Sequence, residues 1–185
     1  QFEYSNFSPG SYFGFFFNII LASFFLEDIP SKFFNLSSIL EYCLINGSSG
    51  SGRMRGGMGV AREVRALSDD TTFSGRADSF ITAAEGYDGG LPGSHCRIIR
   101  NYGSQNEMVM APKQRLISLA AGERVRMETP GGGGLGDPSG STIDNLAVDL
   151  EDQRISVARA RLDYGNELTE KALKMISKSY PEWDF

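Results

Sequence analysis

The stretch Thr129-Pro130-Gly131-Gly132-Gly133-Gly134-Leu135-Gly136-Asp137-Pro138 constrains this chain more than any other. Glycine loses the most backbone freedom on folding, so a run of four is costly to order. A chain keeps such a run where the backbone must turn with φ > 0, or where another backbone or a ligand comes too close for a Cβ. Before the run, Arg124-Val125-Arg126-Met127-Glu128 alternates as a strand does. After it, a helical period starts near Thr142. The run is therefore a corner.

Three readings compete for this corner. Gly131-x-Gly133-x-x-Gly136 has the spacing of a dinucleotide fingerprint. That motif must enter a helix at once, with an acidic residue closing a second strand roughly 20 residues later. Here Asp137-Pro138-Ser139-Gly140 intervenes, and the segment beyond is helical. A phosphate-cradling P-loop needs Gly-Lys-Ser/Thr after its glycines, and none follows. A tight structural corner needs neither feature, and the residues favour it.

Composition narrows the partners. A net charge of −5 and a sequence pI near 5.0 argue against a general nucleic-acid binder. The 22 glycines point to many sharp turns between short strands. Arg53, Arg55, Arg62 and Arg65 stand among glycines, but an RGG-type reading needs repeats and interleaved aromatics, which this segment lacks. Arg53 and Arg55 could instead hold an anion or a partner's carboxylate through paired N–H donors. His95 stands beside Cys96 and reads as a surface or turn histidine, because one His–Cys pair is too few ligands for a metal. Cys43 and Cys96 have no motif spacing and read as buried thiols rather than a disulfide.

Strands are expected at about Leu40–Ile45, Val60–Leu67, Thr72–Arg76 and Ser79–Ala83, then at Cys96–Arg100 paired with Met108–Met110. Arg115–Leu119 and Arg124–Thr129 read as a further pair across the Ala121-Gly122-Glu123 turn. Helices follow over about 143–153, capped by Ser141 or Thr142, then from Ser156 to Tyr164 with Gly165 as terminator, then from Asn166 to about Lys178. Asp149, Glu151, Asp152, Arg154 and Arg159 read as a solvated charged face. The fold class is thus α+β, with mainly antiparallel short strands and glycine-rich turns ahead of two or three helices.

Residues 1–40 differ from the rest. Residues 11–26 carry no charge and are crowded with phenylalanine. They are borderline in length for a membrane span, which takes roughly 20 apolar residues. No basic residue flanks them on the N-terminal side, which weakens both a signal peptide and an anchor. Residues 1–40 are expected to stand outside the fold that occupies 41–180, not native to it and poorly ordered, with an anchor or an extra strand pair as the other readings. The start at Gln1 rather than Met suggests a fragment or processed product.

Five ordered pieces resemble the hydantoinase B / 5-oxoprolinase family. ETPGGGGLGDP resembles its closing TPGGGGYGDP-type signature. Gly52-Arg53-Met54-Arg55-Gly56-Gly57-Met58-Gly59 with Arg62-Glu63-Val64 resembles its GxGRxRGGxG…RE segment. Ser74-Gly75-Arg76 with Asp88-Gly89-Gly90-Leu91-Pro92-Gly93 resembles its S-D-R…GGxPG segment. Ala121-Gly122-Glu123-Arg124-Val125 resembles its strand lead-in, and Ser156–Gly165 its closing helix.

The resemblance implies part of an ATP-dependent enzyme that opens cyclic amides such as hydantoins or 5-oxoproline. It implies ATP with Mg on a hydantoinase A-like partner, a divalent metal in the region upstream of the matched pieces, and a cytoplasmic location. Whether this chain is itself an enzyme stays open; incomplete and inactive alone is the expectation. A non-catalytic β-rich interaction module and a subunit of a related ATP-dependent ketone carboxylase are the alternatives. Which residues are catalytic stays open, and no bound cofactor or metal is expected on this chain. Arg53, Arg55, Arg76, Gly131, Gly132, Gly133 and Gly134 are the candidate framing or partner-contact residues.

Overall fold

Alternation explains how the strands face. In β7 (Arg124–Glu128), Val125 and Met127 enter an apolar cluster, while Arg124, Arg126 and Glu128 form ion pairs on the opposite face. Each residue in a strand points opposite to its neighbours, so one five-residue strand serves both faces. The computed structural model describes residues 37–69 and 71–179. The expectations for residues 1–36, including the apolar run, and for Pro181 lie outside them.

Two sheets carry the strands. The larger has the order β1-β2-β7-β4-β5, with β1 at Ser37–Leu44, β2 at Val60–Ala66, β4 at Arg97–Arg100 and β5 at Met108–Val109. The smaller is a ribbon of β3 (Thr71–Arg76) and β6 (Lys113–Leu119). All the pairings are antiparallel. The ribbon covers one face of the larger sheet. Between them Ala66, Ile98, Met110, Leu119, Val125 and Met127 are buried, with Phe73, Phe80 and Ile117 packed alongside.

Three helices follow, α1 at Ile143–Glu151, α2 at Val157–Tyr164 and α3 at Asn166–Ser179. Thr142 Oγ1 accepts the amide of Asn145 and Ser156 Oγ accepts that of Arg159, each at 3.2 Å, so both caps are side-chain hydroxyls as expected. Gly165 stops α2 at φ 84°, where a Cβ would be strained. Leu146, Ala147, Leu150, Ile155, Ala160, Tyr164, Ala172 and Ile176 form a second apolar cluster among the helices. The α+β class holds: antiparallel sheets precede three helices.

Three local expectations are corrected. The first strand begins at Ser37, earlier than Leu40. No strand forms at Ser79–Ala83, because Ser79 takes φ 64° and its carbonyl accepts the Cys96 amide. β6 and β7 do not pair. Their turn bonds outward instead: Gly122 N–H donates to Ala66 O, Ala66 N–H to Glu123 O, and Ala121 N–H to Asp69 Oδ1, each at 2.8 Å. The turn therefore carries the chain from ribbon to sheet, and β7 lies between β2 and β4.

Candidate functional site

The four glycines do not turn with positive φ. Among the residues around them only Gly136 does, at 74°. They run straight through a layer of other backbones. A Cβ on Gly131 would lie 2.0 Å from Ser48 O, on Gly133 2.0 Å from Glu85 O, and on Gly134 2.2 Å from Ser51 O. Gly132 has more room, its nearest neighbour being Gly57 N at 3.2 Å. The partners answer with glycines of their own. A Cβ on Gly56 would meet Gly132 O, on Gly90 Gly134 O, and on Gly93 Gly131 O, at 2.1–2.2 Å. Segments 48–59, 84–94 and 129–136 thus pack backbone against backbone.

Hydrogen bonds leave the central segment in several directions. Gly132 accepts from Gly50 N and donates to Gly57 O, both at 2.8 Å. Gly134 accepts from Tyr87 N and donates to Leu91 O, both at 2.9 Å. Gly131 N–H donates to Ser94 Oγ at 3.1 Å, and Gly136 N–H to Tyr87 O at 2.9 Å. A phosphate cradle needs free N–H groups converging on one point. Here the N–H groups of Gly131, Gly132, Gly134 and Gly136 are committed to protein oxygens. A short 3-10 turn at Pro138–Gly140 also separates the run from α1. The run does not fit a nucleotide; both phosphate readings fail on geometry, and close backbone approach is the reason for the glycines.

Two of the candidate arginines lie at this layer. Arg53 is exposed, and its side chain lies over Gly136 and Gly140, with Cβ and Cδ 3.0 Å and 3.5 Å from where their Cβ atoms would stand. Arg55 is half-buried; its Nε donates to Asp149 Oδ2 and its Nη1 to Ser49 Oγ, both at 2.8 Å. Arg55 therefore ties the layer to α1. Arg76 is elsewhere, exposed at the end of β3 opposite Lys113.

The helical tail is clasped to the layer by groups the sequence reading assigned to solvent or left aside. Asp149 is no solvated charge: its carboxylate is 13% exposed and holds both Arg55 and Arg154. Asp163, 4% exposed, accepts from Ser51 Oγ and Arg159 Nε at 2.6 Å each. Gly52 N–H donates to the Tyr164 hydroxyl at 3.4 Å, and Gly47 N–H to Arg154 O at 2.9 Å. The i, i+4 spacing of Arg159 and Asp163 was the only local signal for any of these.

A second charged group was also missed, on the sheet face away from the ribbon. Arg126 is 7% exposed, with Glu128 Oε1 2.8 Å from its Nε, Glu41 on its Nη1, and the Tyr102 ring centroid 4.4 Å from its guanidinium carbon. Glu63 Oε2 lies 3.8 Å from Arg126, and Glu63 Oε1 3.1 Å from Arg124 without an aligned hydrogen bond. Arg97 pairs with Glu128 at 2.7 Å. Burial alone would pull the Arg126 pKa down, but Glu128 and Glu41 outweigh it and the net shift is upward. The Cys43 thiol and Arg126 together hold Glu41 below the usual glutamate range. The signal was available in the Arg–x–Arg–x–Glu alternation of β7, which places three charges on one face.

The lone histidine and the cysteines take no part in such a cluster. His95 is exposed while its neighbour Cys96 is buried, as alternation dictates. Burial, then Glu128 and Asp78, push the Cys96 thiol up to about 11, so it stays protonated at neutral pH. Cys43 is half-buried rather than buried, and donates to Glu41 Oε1 at 2.9 Å. Both cysteines are free thiols. Among the described residues no group of three or more His, Cys, Asp or Glu could hold a metal, and no helix is long and apolar enough to cross a membrane.

Fold and layer together define a β-rich scaffold, threaded by a glycine segment and closed by a helical clasp. The hydantoinase B/oxoprolinase family profile matches residues 37–138, more than half of the chain, and the chain belongs to that family. It is 34% identical over 133 residues to an uncharacterised protein of Methanocaldococcus jannaschii, covering 72% of this chain and 23% of that protein. It is 30% identical over 133 residues to caprolactamase subunit beta of Pseudomonas jessenii, covering 69% of this chain and 22% of the relative. The crystal structure of ATP-dependent caprolactamase from Pseudomonas jessenii superposes with a TM-score of 0.57 at 26% identity, over 76% of this chain and 26% of that one. Nucleotide-free acetone carboxylase shares the fold, with a TM-score of 0.59 at 18% identity, over 81% of this chain and 26% of that one. The chain thus spans about a quarter of the length of these relatives.

Proposed function

We propose that this chain supplies scaffold to the B-type component of an ATP-dependent enzyme that opens cyclic amides, and that the reacting groups come from other parts of the assembly. One observation carries the reading: in the most glycine-dense segment the amides of Gly131, Gly132, Gly134, Leu135 and Gly136 are spent on backbone and serine oxygens, so it holds three chain segments together and forms no nest of converging donors for a substrate. The caprolactamase relative is named as ATP-dependent, which supports the nucleotide requirement. A hydantoinase A-like component would bind ATP with Mg. A divalent metal would be held outside this chain.

Physically, ATP solves a leaving-group problem. A lactam oxygen is a poor leaving group, and phosphorylation makes it a good one. A scaffold contributes by holding reacting groups in register, since small misplacements cost large factors in rate. Arg53 is the residue of this chain placed to meet a partner's carboxylate, because it is exposed at the layer and its guanidinium can pair through two N–H donors.

The test is turnover of hydantoin, 5-oxoproline or caprolactam by this chain with ATP and a purified A-type component. No turnover is expected from the chain with that component alone. Turnover would show that this chain holds the reacting groups. A carboxylase reading would reveal itself as bicarbonate-dependent ATP consumption with a ketone substrate.

A further inference from the structure

The sheet face covered by the β3–β6 ribbon is covered only in part. Its β4–β7 side is buried under the apolar cluster. Its β1 side is bare: Ile39 is 60% exposed, Tyr42 73% and Leu44 60%. Register places these three on the same face as the core, because Ile39 pairs with Val64, Tyr42 with Arg62 and Leu44 with Val60, while Arg62 pairs with Met127. Alternation sends Glu41 and Cys43 to the other face, where they join the Arg126 group. So β1 is amphipathic, with its apolar side uncovered. β1 is also a sheet edge among the described residues.

Arg62 stands at the boundary between the covered and bare parts. Its Nε is buried and has no hydrogen-bond partner. Arg97, Arg100, Arg124 and Arg126 of the larger sheet are all ion-paired. A cation whose Nε is desolvated and unanswered is costly, and a carboxylate on that face would relieve it. Exposed apolar side chains beside an unanswered guanidinium describe an interface with an acidic residue in its partner.

We propose that the β1–β2 end of this face is the docking surface for the part of a family-length B-type protein that lies outside this chain. That part lays apolar side chains on Ile39, Tyr42 and Leu44 and brings an Asp or Glu to Arg62. The length argues for this occupant, since the chain spans only 22–26% of the caprolactamase relative. Charge argues against a second copy. Glu41 and Glu63 point to the opposite face and are engaged by Arg126, so neither is available to the Arg62 of a copy stacked through this face. The inference rests on the reading of the chain as one part of a longer component.

The test is a chimera in which residues 37–179 replace the matching segment of caprolactamase subunit beta, compared with the full chain alone. Tyr42→p-benzoylphenylalanine in the chimera is expected to cross-link to the host portion on irradiation. Tyr42→Asp and Arg62→Glu are expected to lower the melting temperature of the chimera. In the full chain alone, Tyr42→Asp is expected to be neutral, and Arg62→Met to raise the melting temperature by removing the unanswered donor. A folded chimera with no cross-link to the host, and no penalty from either charged variant, overturns the surface but leaves the scaffold reading standing. A chimera that fails to fold overturns both. Cross-links from Tyr42 to a second copy, or to residues 1–36 of the same chain, overturn the proposal in favour of those occupants.

Discussion

A methyl group on Gly133 would stand 2.0 Å from the carbonyl oxygen of Glu85. The obstacle is backbone, which cannot swing aside as a flexible side chain would. Gly133→Ala is therefore expected to cost about 3 kcal/mol or more, the upper range for overpacking. Gly57 is the control, because nothing lies within 4 Å of its Cβ position and its φ is not positive. Gly57→Ala should stay within about 0.5 kcal/mol of the parent in urea denaturation, as surface substitutions do. Equal costs at the two positions would show that the layer is loose. Glu123 carries a second prediction. Its carboxylate is held below the ordinary range first by Arg100, with help from the Ala120 amide and Asn101. A carboxylate with a depressed folded pKa stabilises above its unfolded value and loses that contribution as pH falls through the folded one. Parent and Glu123→Gln should therefore differ most at neutral pH, by about 1 kcal/mol. The gap should narrow below pH 4.5, as read from melting temperatures across pH. The need for Cβ-free residues at 131–134 was legible in the sequence; which carbonyls exclude the Cβ was not, because those carbonyls belong to residues about 45 to 85 positions earlier in the chain.

The helices are tied to the glycine layer by a few well-placed polar contacts. The Arg55–Asp149 pair links the glycine layer to α1, with side chains 14% and 13% exposed. Removing Asp149 leaves the half-buried Arg55 guanidinium with only the neutral oxygens of Ser49 and Gly56, so Asp149→Ala is expected to cost about 3 kcal/mol. Arg55→Met on that background should add little, giving a coupling of about 1 kcal/mol or more in a double-mutant cycle by chemical denaturation. Additive losses would mean that the two side chains act separately. Helix starts were readable because a cap is a local event: Thr142 and Ser156 answer amides three residues ahead. Strand partners were less so. The Ala120–Glu123 turn has the length of a hairpin, yet its Gly122 and Ala121 amides are spent on Ala66 and Asp69, and that choice depends on a segment more than 50 positions away in sequence.

At the scale of the molecule, the chain buries two separate apolar clusters, one in the sheets and one in the helices. Leu146 is 1% exposed in the helical cluster, so Leu146→Ala should cost about 2–5 kcal/mol. Because the helices are clasped to the layer through Asp149, Asp163 and Tyr164, amide exchange should quicken at Gly134 and Leu135 as well as in α1. Layer amides that keep their protection while the helices lose theirs would show that the two parts open independently. The sequence alone determined the order of strands before helices, the caps, the alternating faces of β7 and the demand for glycine at 131–134. These follow from steric and hydrogen-bonding rules that act within a few residues. Only the tertiary structure decided that β7 lies between β2 and β4, that Asp149 answers Arg55, and that the amides of Gly131, Gly132 and Gly134 are spent on neighbouring chain segments. Those outcomes depend on which distant segments meet, and no local spacing encodes that.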